Sequence, residues 1–234
     1  MAASGESVLI VPGYRGSGES HWQSWLHREL VGSRVLSGVS WHDPILADWA
    51  ERVREEIARA PTPLWIVAHS FGCLATVIAV ADRPQNVAGV ILAAPADPQR
   101  FHLLGLGRVD DRRLAVKTLA DVLPARALGV RGVLVASEND PWMSVSAAQQ
   151  WARDWEVAIV NAGAAGHINA ESGFGPWPGV LELLTALQSE TATEHAPVAS
   201  VSQHMQRGRG SALARVRRHT REQLGLLGPA SSYA

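Results

Sequence analysis

Short apolar runs recur along this chain, and they restrict its fold more than any other feature. VLIV at 8–11, LWIV at 64–67, VAGVIL at 87–92, VRGVLV at 130–135 and EVAIV at 156–160 are rich in β-branched and aliphatic residues. Uninterrupted runs of this length suit strands covered on both faces, the situation of a parallel sheet. Arg34–Leu36 is a weaker candidate for one more strand. Segments of helical period lie between the runs. Ser20 with Gln23, and Asp48 with Glu51, have the spacing of capping boxes. After Asp48, the residues Trp49, Val53, Ile57 and Ala60 share one helical face, and Val180, Leu181, Leu184 and Leu187 form a similar stripe. Strands alternating with helices predict an α/β fold: a mostly parallel sheet of about six strands with helices on both faces.

The 234 residues, 47% of them hydrophobic, are enough for one domain with a sizeable core. Charge divides the chain. From Glu190 onward there are six Arg and three Glu, a tail of +3, which leaves −4 on the rest of a chain whose net charge is −1. The expected organisation is a folded domain over 1–189 and a basic tail over 190–234. For the tail we expect a disordered extension. The alternative is a basic helix from Ser211 to Leu227, able to meet a partner that the sequence does not identify. The near-neutral balance gives no reason to expect nucleic acid or anionic membrane as a partner. Cys73 is alone, so neither an internal disulfide nor a thiolate metal cage is expected. With no basic leader and no apolar stretch of membrane-spanning length, the expected location is cytoplasmic.

In an open parallel sheet, ligands bind beyond the carboxyl ends of the strands, so the residues that follow each run are the candidates. After LWIV comes Ala68-His69-Ser70-Phe71-Gly72, then an apolar helical stretch. This is G-x-S-x-G with alanine in the first place, in the strand-to-helix context that exposes a serine hydroxyl on a sharp turn. His69, beside the serine, is expected to point away into packing. A serine needs a base, and the base an orienting carboxylate. The loop after EVAIV carries His167. The loop after VRGVLV carries Glu138 and Asp140; Pro141 leaves Asp140 in a turn at the same edge, and Asp140 is preferred because Glu138 is still close to the strand, where the pleat fixes its direction. Ser70, Asp140 and His167 stand in the chain order of the α/β-hydrolases.

The glycine-rich loop after VLIV, Pro12 to Ser20, admits two readings. Gly13 to Ser20 fits a phosphate loop except that Glu19 replaces the lysine, and a carboxylate there would repel phosphate. The better reading is half of an oxyanion hole, with the amide of Tyr14 joining that of Phe71 to hold the charge that develops on an attacked carbonyl.

Together, VPGYRGSGESHWQSWL, AHSFG at 68–72, SENDPW at 137–142 and AGHINAESGFGPWP at 165–178 resemble the small lidless serine hydrolases of the YdeN and retinoblastoma-binding protein 9 group. The resemblance covers roughly Val8 to Leu187 and implies Ser70 as nucleophile, Asp140 as acid and His167 as base. It also implies that His21 and Trp22 lie near the site. The tail is outside the family pattern, and an L-x-C-x-E segment of the kind linked to retinoblastoma binding is absent. The expected function is hydrolysis of small ester or amide substrates through an acyl-enzyme, with no metal and no organic cofactor. Phe101, Leu103, Leu104 and Leu106, with Tyr14, Phe71 and Trp142, could roof an acyl pocket; completing the core is an equal reading for the leucine-rich segment. The rival functions are a non-catalytic interaction protein on the same fold, and a thioesterase or acyltransferase using the same serine.

Overall fold

Six strands form one sheet in which every neighbouring pair is parallel: β1 (Val8–Val11), β2 (Arg34–Val35), β3 (Leu64–His69), β4 (Val87–Ala93), β5 (Gly132–Ala136) and β6 (Ala158–Asn161). The computed structural model describes residues 7–101 and 118–194. Across the sheet the order is β2-β1-β3-β4-β5-β6. Each of the five strong apolar runs overlaps a strand, and the weak one at 34–36 supplies the short edge strand β2. The fold is that of the α/β-hydrolases.

Helices α1 (Trp22–Glu29), α2 (Leu46–Arg59), α3 (Phe71–Asp82) and α4 (Val145–Asp154) cross between strands. In α3, Cys73, Leu74, Ala75, Val77, Ala79 and Val80 are all fully buried. A helix apolar on every side belongs in the interior, and α3 packs against the amphipathic α2, whose buried stripe is Trp49, Ala50, Val53 and Ile57. Cys73 donates to the carbonyl of Ala93 at the end of β4, 3.6 Å away, and burial pushes its thiol pKa well up. The solvent side of α2 carries Arg52, Arg54 and Arg59 paired with Glu51, Glu55, Glu56 and Asp82.

Neither expected capping box forms. The cap of α1 is His21, whose Nδ1 accepts the Gln23 amide at 3.1 Å. Gln23 cannot reach back to Ser20 because its side chain is buried. Its amide donates to the carbonyls of Val11 and Val67 (3.1 and 3.2 Å), and its oxygen accepts from Ser17. Helix α2 starts earlier than expected, at Leu46, which buries that leucine and leaves Asp48 within the first turn, where a negative charge suits the helix dipole.

Residues to Trp177 form one compact unit, and those from Pro178 a second. The described part of the second is helix α5 (Pro178–Glu194), with proline in the first turn. Its buried apolar side chains are Val180, Leu183, Leu184 and Leu187; Leu183 takes the place expected of Leu181, which is half-buried. The helix runs past Ser189, and the expected tail beyond 194 lies outside the described residues. Among the described residues, no helix is long and apolar enough to cross a membrane.

Candidate active site

The strand order reverses between β1 and β3, since the chain moves from β1 outward to β2 and then returns to the other side of β1. Loops leaving two adjacent strands at such a point diverge and open a crevice. Here they are the glycine-rich loop after β1 and the turn at Ser70 after β3.

Ser70 has φ 52° and ψ −123°, a conformation that L-residues rarely adopt and that costs about 1–3 kcal/mol. Its N–H donates to the carbonyl of Ala93, 3.1 Å away. The strain is the local cost of turning straight from strand into helix with the hydroxyl standing clear. Two glycines make room. A Cβ on Gly72 would collide with the carbonyl oxygen of Pro12, and one on Gly13 would lie 2.8 Å from the Cβ of Ser70. The β1 loop therefore rests directly on the turn. Ala68, in the place usually held by glycine, is fully buried and in register with Val11 and Leu92, so its methyl group fits the sheet.

Ser70 Oγ lies 2.8 Å from His167 Nε2, and His167 Nδ1 lies 2.9 and 3.0 Å from the two carboxylate oxygens of Asp140. A carboxylate can only accept, so Nδ1 carries the proton and Nε2 is left to accept from the serine. The Asp140 side chain is 1% exposed, and Oδ1 also accepts the Trp142 amide at 2.8 Å. Glu138, the other acid considered, is exposed and accepts from Asn161 instead.

The loops carrying Asp140 and His167 are tied to each other. Ala165 donates to Ser137 Oγ (2.9 Å), and Gly166 to Asn139 Oδ1 (2.6 Å). The His167 amide donates to Ser172 Oγ (3.1 Å), itself bonded to Asn169. Gly166 has φ +57°, and a Cβ there would strike Ser172 Oγ. Ser137, Asn139, Asn169 and Ser172 lie within the segments SENDPW and AGHINAESGFGPWP, but nothing in their spacing alone assigns them this bracing role.

Three imidazoles form a row: the ring of His69 lies 5.0 Å from that of His21 and 5.0 Å from that of His167. His69 is thus not directed away into inert packing. Its Nε2 meets the carbonyl of His167 at 2.9 Å. Burial first, and the charge of His167 second, lower the pKa of His21 to about 4 and that of His69 well below its ordinary value. Both are neutral at pH 7.

The main-chain amides of Tyr14 and Phe71 have no hydrogen-bond acceptor among the described residues. Phe71 opens α3, so its amide is one of the orphan donors at a helix start. Its side chain, however, is buried in the core against Trp49 (5.1 Å between ring centres). Trp22 is fully buried as well, its ring 6.0 Å from that of His69, and it presents no surface to solvent. His21 is 6% exposed and is occupied in capping α1. Trp142 is 44% exposed, with its ring 6.3 Å from that of His167. Phe101 stacks on Trp142, and Arg100 lies over the same indole while donating to the Pro141 carbonyl. Tyr14 is exposed, with Arg15 against its ring. Leu103, Leu104 and Leu106 lie outside the described residues.

The serine hydrolase family model matches residues 8–186. The chain belongs to the serine hydrolase family. A YdeN-like hydrolase from Pectobacterium atrosepticum is 35% identical over 79% of this chain and 92% of its own, with a TM-score of 0.67. The hydrolase YdeN of Bacillus subtilis is 24% identical over 191 residues, 79% of this chain and 97% of the relative. The fold extends to Est1E of Butyrivibrio proteoclasticus, solved with ferulic acid bound, at 18% identity, TM-score 0.57, and coverage of 82% of this chain and 90% of that one. In this chain Ser70, Asp140 and His167 lie in the loops that follow β3, β5 and β6.

Proposed function

We propose that this serine hydrolase cleaves small ester or amide substrates through a Ser70–His167–Asp140 triad and an acyl-enzyme intermediate. The observation that carries the reading is the row of hydrogen bonds from Ser70 Oγ through His167 to Asp140, 2.8 Å and then 2.9 Å, at a serine on a strained strand-to-helix turn.

His167 Nε2 takes the hydroxyl proton as Ser70 Oγ bonds to the substrate carbonyl carbon, and the carbonyl π electrons move to oxygen. Asp140 keeps the Nδ1 proton in place and stabilises the imidazolium. The oxyanion is held by the amides of Phe71 and Tyr14, each such donor being worth about 2.7–4 kcal/mol in the transition state. The tetrahedral species collapses, breaking the bond to the leaving group, which receives the proton from His167. Water then repeats the sequence on the acyl-serine, with His167 again as base, and releases the acid. Trp142, exposed beside His167, forms one wall of the mouth and favours compact or flat acyl groups.

Labelling with a fluorophosphonate probe, followed by mapping of the modified peptide, tests the reading. The expected result is one adduct on Ser70 and none in Ser70→Ala, with loss of esterase turnover in that variant. Full turnover by pure, folded Ser70→Ala would remove the serine from the reaction.

A further inference from the structure

An imidazole that must face Ser70 with one nitrogen and Asp140 with the other tolerates little displacement of its own backbone. Two buried ring N–H groups meet that backbone from inside the protein. His69 Nε2 is 2.9 Å from the carbonyl oxygen of His167, and Trp22 Nε1 is 2.8 Å from the carbonyl oxygen of the next residue, Ile168. One donor stands at the end of β3 and the other at the start of α1.

The backbone at this point needs holding. Ile168 has φ +47°, in the left-handed region that β-branched side chains avoid, and it is fully buried. A buried carbonyl requires a donor, and here consecutive carbonyls are served by two different side chains. The same α1 segment adds a main-chain tie, from the Trp22 amide to the carbonyl of Phe174 at 3.1 Å.

We propose that His69 and Trp22 are positioning residues for the general base: His69 holds the main chain of His167 through its own carbonyl, and Trp22 holds it through the carbonyl of Ile168. The proposal rests on the reading of His167 as the base that activates Ser70. A carbonyl accepts and never donates, so His69 carries its proton on Nε2 and leaves Nδ1 bare. The titratable groups against the His69 ring are His21, from the cap of α1, and His167. A neutral donor suits this place, because His167 becomes cationic when it takes the serine proton, and a second cation 5.0 Å away would oppose that step. Burial keeps His69 in the neutral form.

Kinetics of four variants on a short acyl ester, with imidazole nitrogen NMR of the wild-type protein, test the idea. His69→Leu and Trp22→Phe keep an apolar body and lose the donor, and each should lower kcat by about 10–100-fold with KM within about threefold. His69→Gln places an amide N–H at similar reach and should restore most of the loss. Wild-type rates in both donor-less variants overturn the proposal, and so does a loss at His69→Leu that His69→Gln fails to recover. Ser70→Ala separates this idea from the reading beneath it. An active Ser70→Ala overturns the triad itself, whereas an inactive Ser70→Ala beside fully active Trp22→Phe and His69→Leu overturns only the clamp. Should a donor-less variant fail to fold, the wild-type spectrum decides: the Nε2–H tautomer is expected at His69, assigned by its absence in His69→Gln, and an Nδ1–H tautomer there overturns the proposal.

Discussion

Gly13 sits against Ser70 so closely that a Cβ on the glycine would lie 2.8 Å from the serine Cβ. The loop after β1 therefore touches the nucleophile's own backbone, and the next amide in the chain, that of Tyr14, is carried with it. In Gly13→Ala the loop must lift from the turn. Displacement of one oxyanion donor corresponds to a loss of about 100–1,000-fold in kcat. The expected signature on a short ester is a fall in kcat with little change in KM; an unaltered kcat would mean that the loop does not serve the oxyanion.

The strained turn at Ser70 makes a prediction about stability rather than rate. With φ at 52°, alanine inherits the strain of serine and glycine does not. Ser70→Gly should be inactive, like Ser70→Ala, and more stable than it. Glycine's extra unfolded-state freedom offsets part of the gain, leaving about 1 kcal/mol. Thermal melting of the two variants side by side checks the order.

His21 and His69 make the protein sensitive to acid. The His21 pKa is lowered in the folded protein from 6.5 to about 4, by burial first and by His167 second. Above pH 6.5 both folded and unfolded forms leave it neutral, so it contributes no pH dependence there. Between 6.5 and 4 the unfolded chain takes up the proton that the folded one refuses, and stability falls by roughly 3 kcal/mol from this residue. His69 acts in the same direction. His21→Asn retains a capping oxygen for α1, so its melting temperature at pH 7 should stay near wild type. Its decline between pH 6.5 and 4 should be shallower than wild type, and an identical decline would rule His21 out as a source.

Trp142 is an exposed aromatic with its ring 6.3 Å from that of the base, Arg100 over one side of its ring system and Phe101 stacked on it. Its backbone amide serves Asp140, so the side chain can be removed without taking that bond away. Trp142→Ala should raise KM for esters of aromatic acids about 2–10-fold relative to acetate esters of the same alcohol, the amount expected of one aromatic contact. Equal changes for both classes would place the indole outside the substrate's path.

The strands were legible because a run buried on both faces leaves an unambiguous apolar pattern, and Leu9, Ile10, Ile66 and Val67 are all fully buried. Ser70, Asp140 and His167 stand out in the sequence because each follows such a run and loops gather at strand ends, and the structure brings the three within hydrogen-bond reach. Helix starts were not legible. Ser20 and Asp48 have the right spacing to cap, yet His21 caps α1 and Leu46 opens α2, because tertiary contacts to Gln23 and the burial of Leu46 outweigh local preference. His69 departs from the sequence expectation for a related reason. Alternation along a strand gives the face on which a side chain stands. It does not tell that a loop about a hundred positions later folds back to offer that side chain the carbonyl of His167.

Cys73 stands one helical turn beyond the nucleophile, fully buried and donating to the same Ala93 carbonyl that receives the Ser70 amide. It is the chain's single sulfhydryl. An alkylating reagent can reach it only when α3 parts from β4, so the rate of thiol capping counts excursions of the very layer that holds the reactive hydroxyl. The protein thus carries a built-in chemical clock for opening at its centre, with no competing thiol elsewhere to confuse the reading.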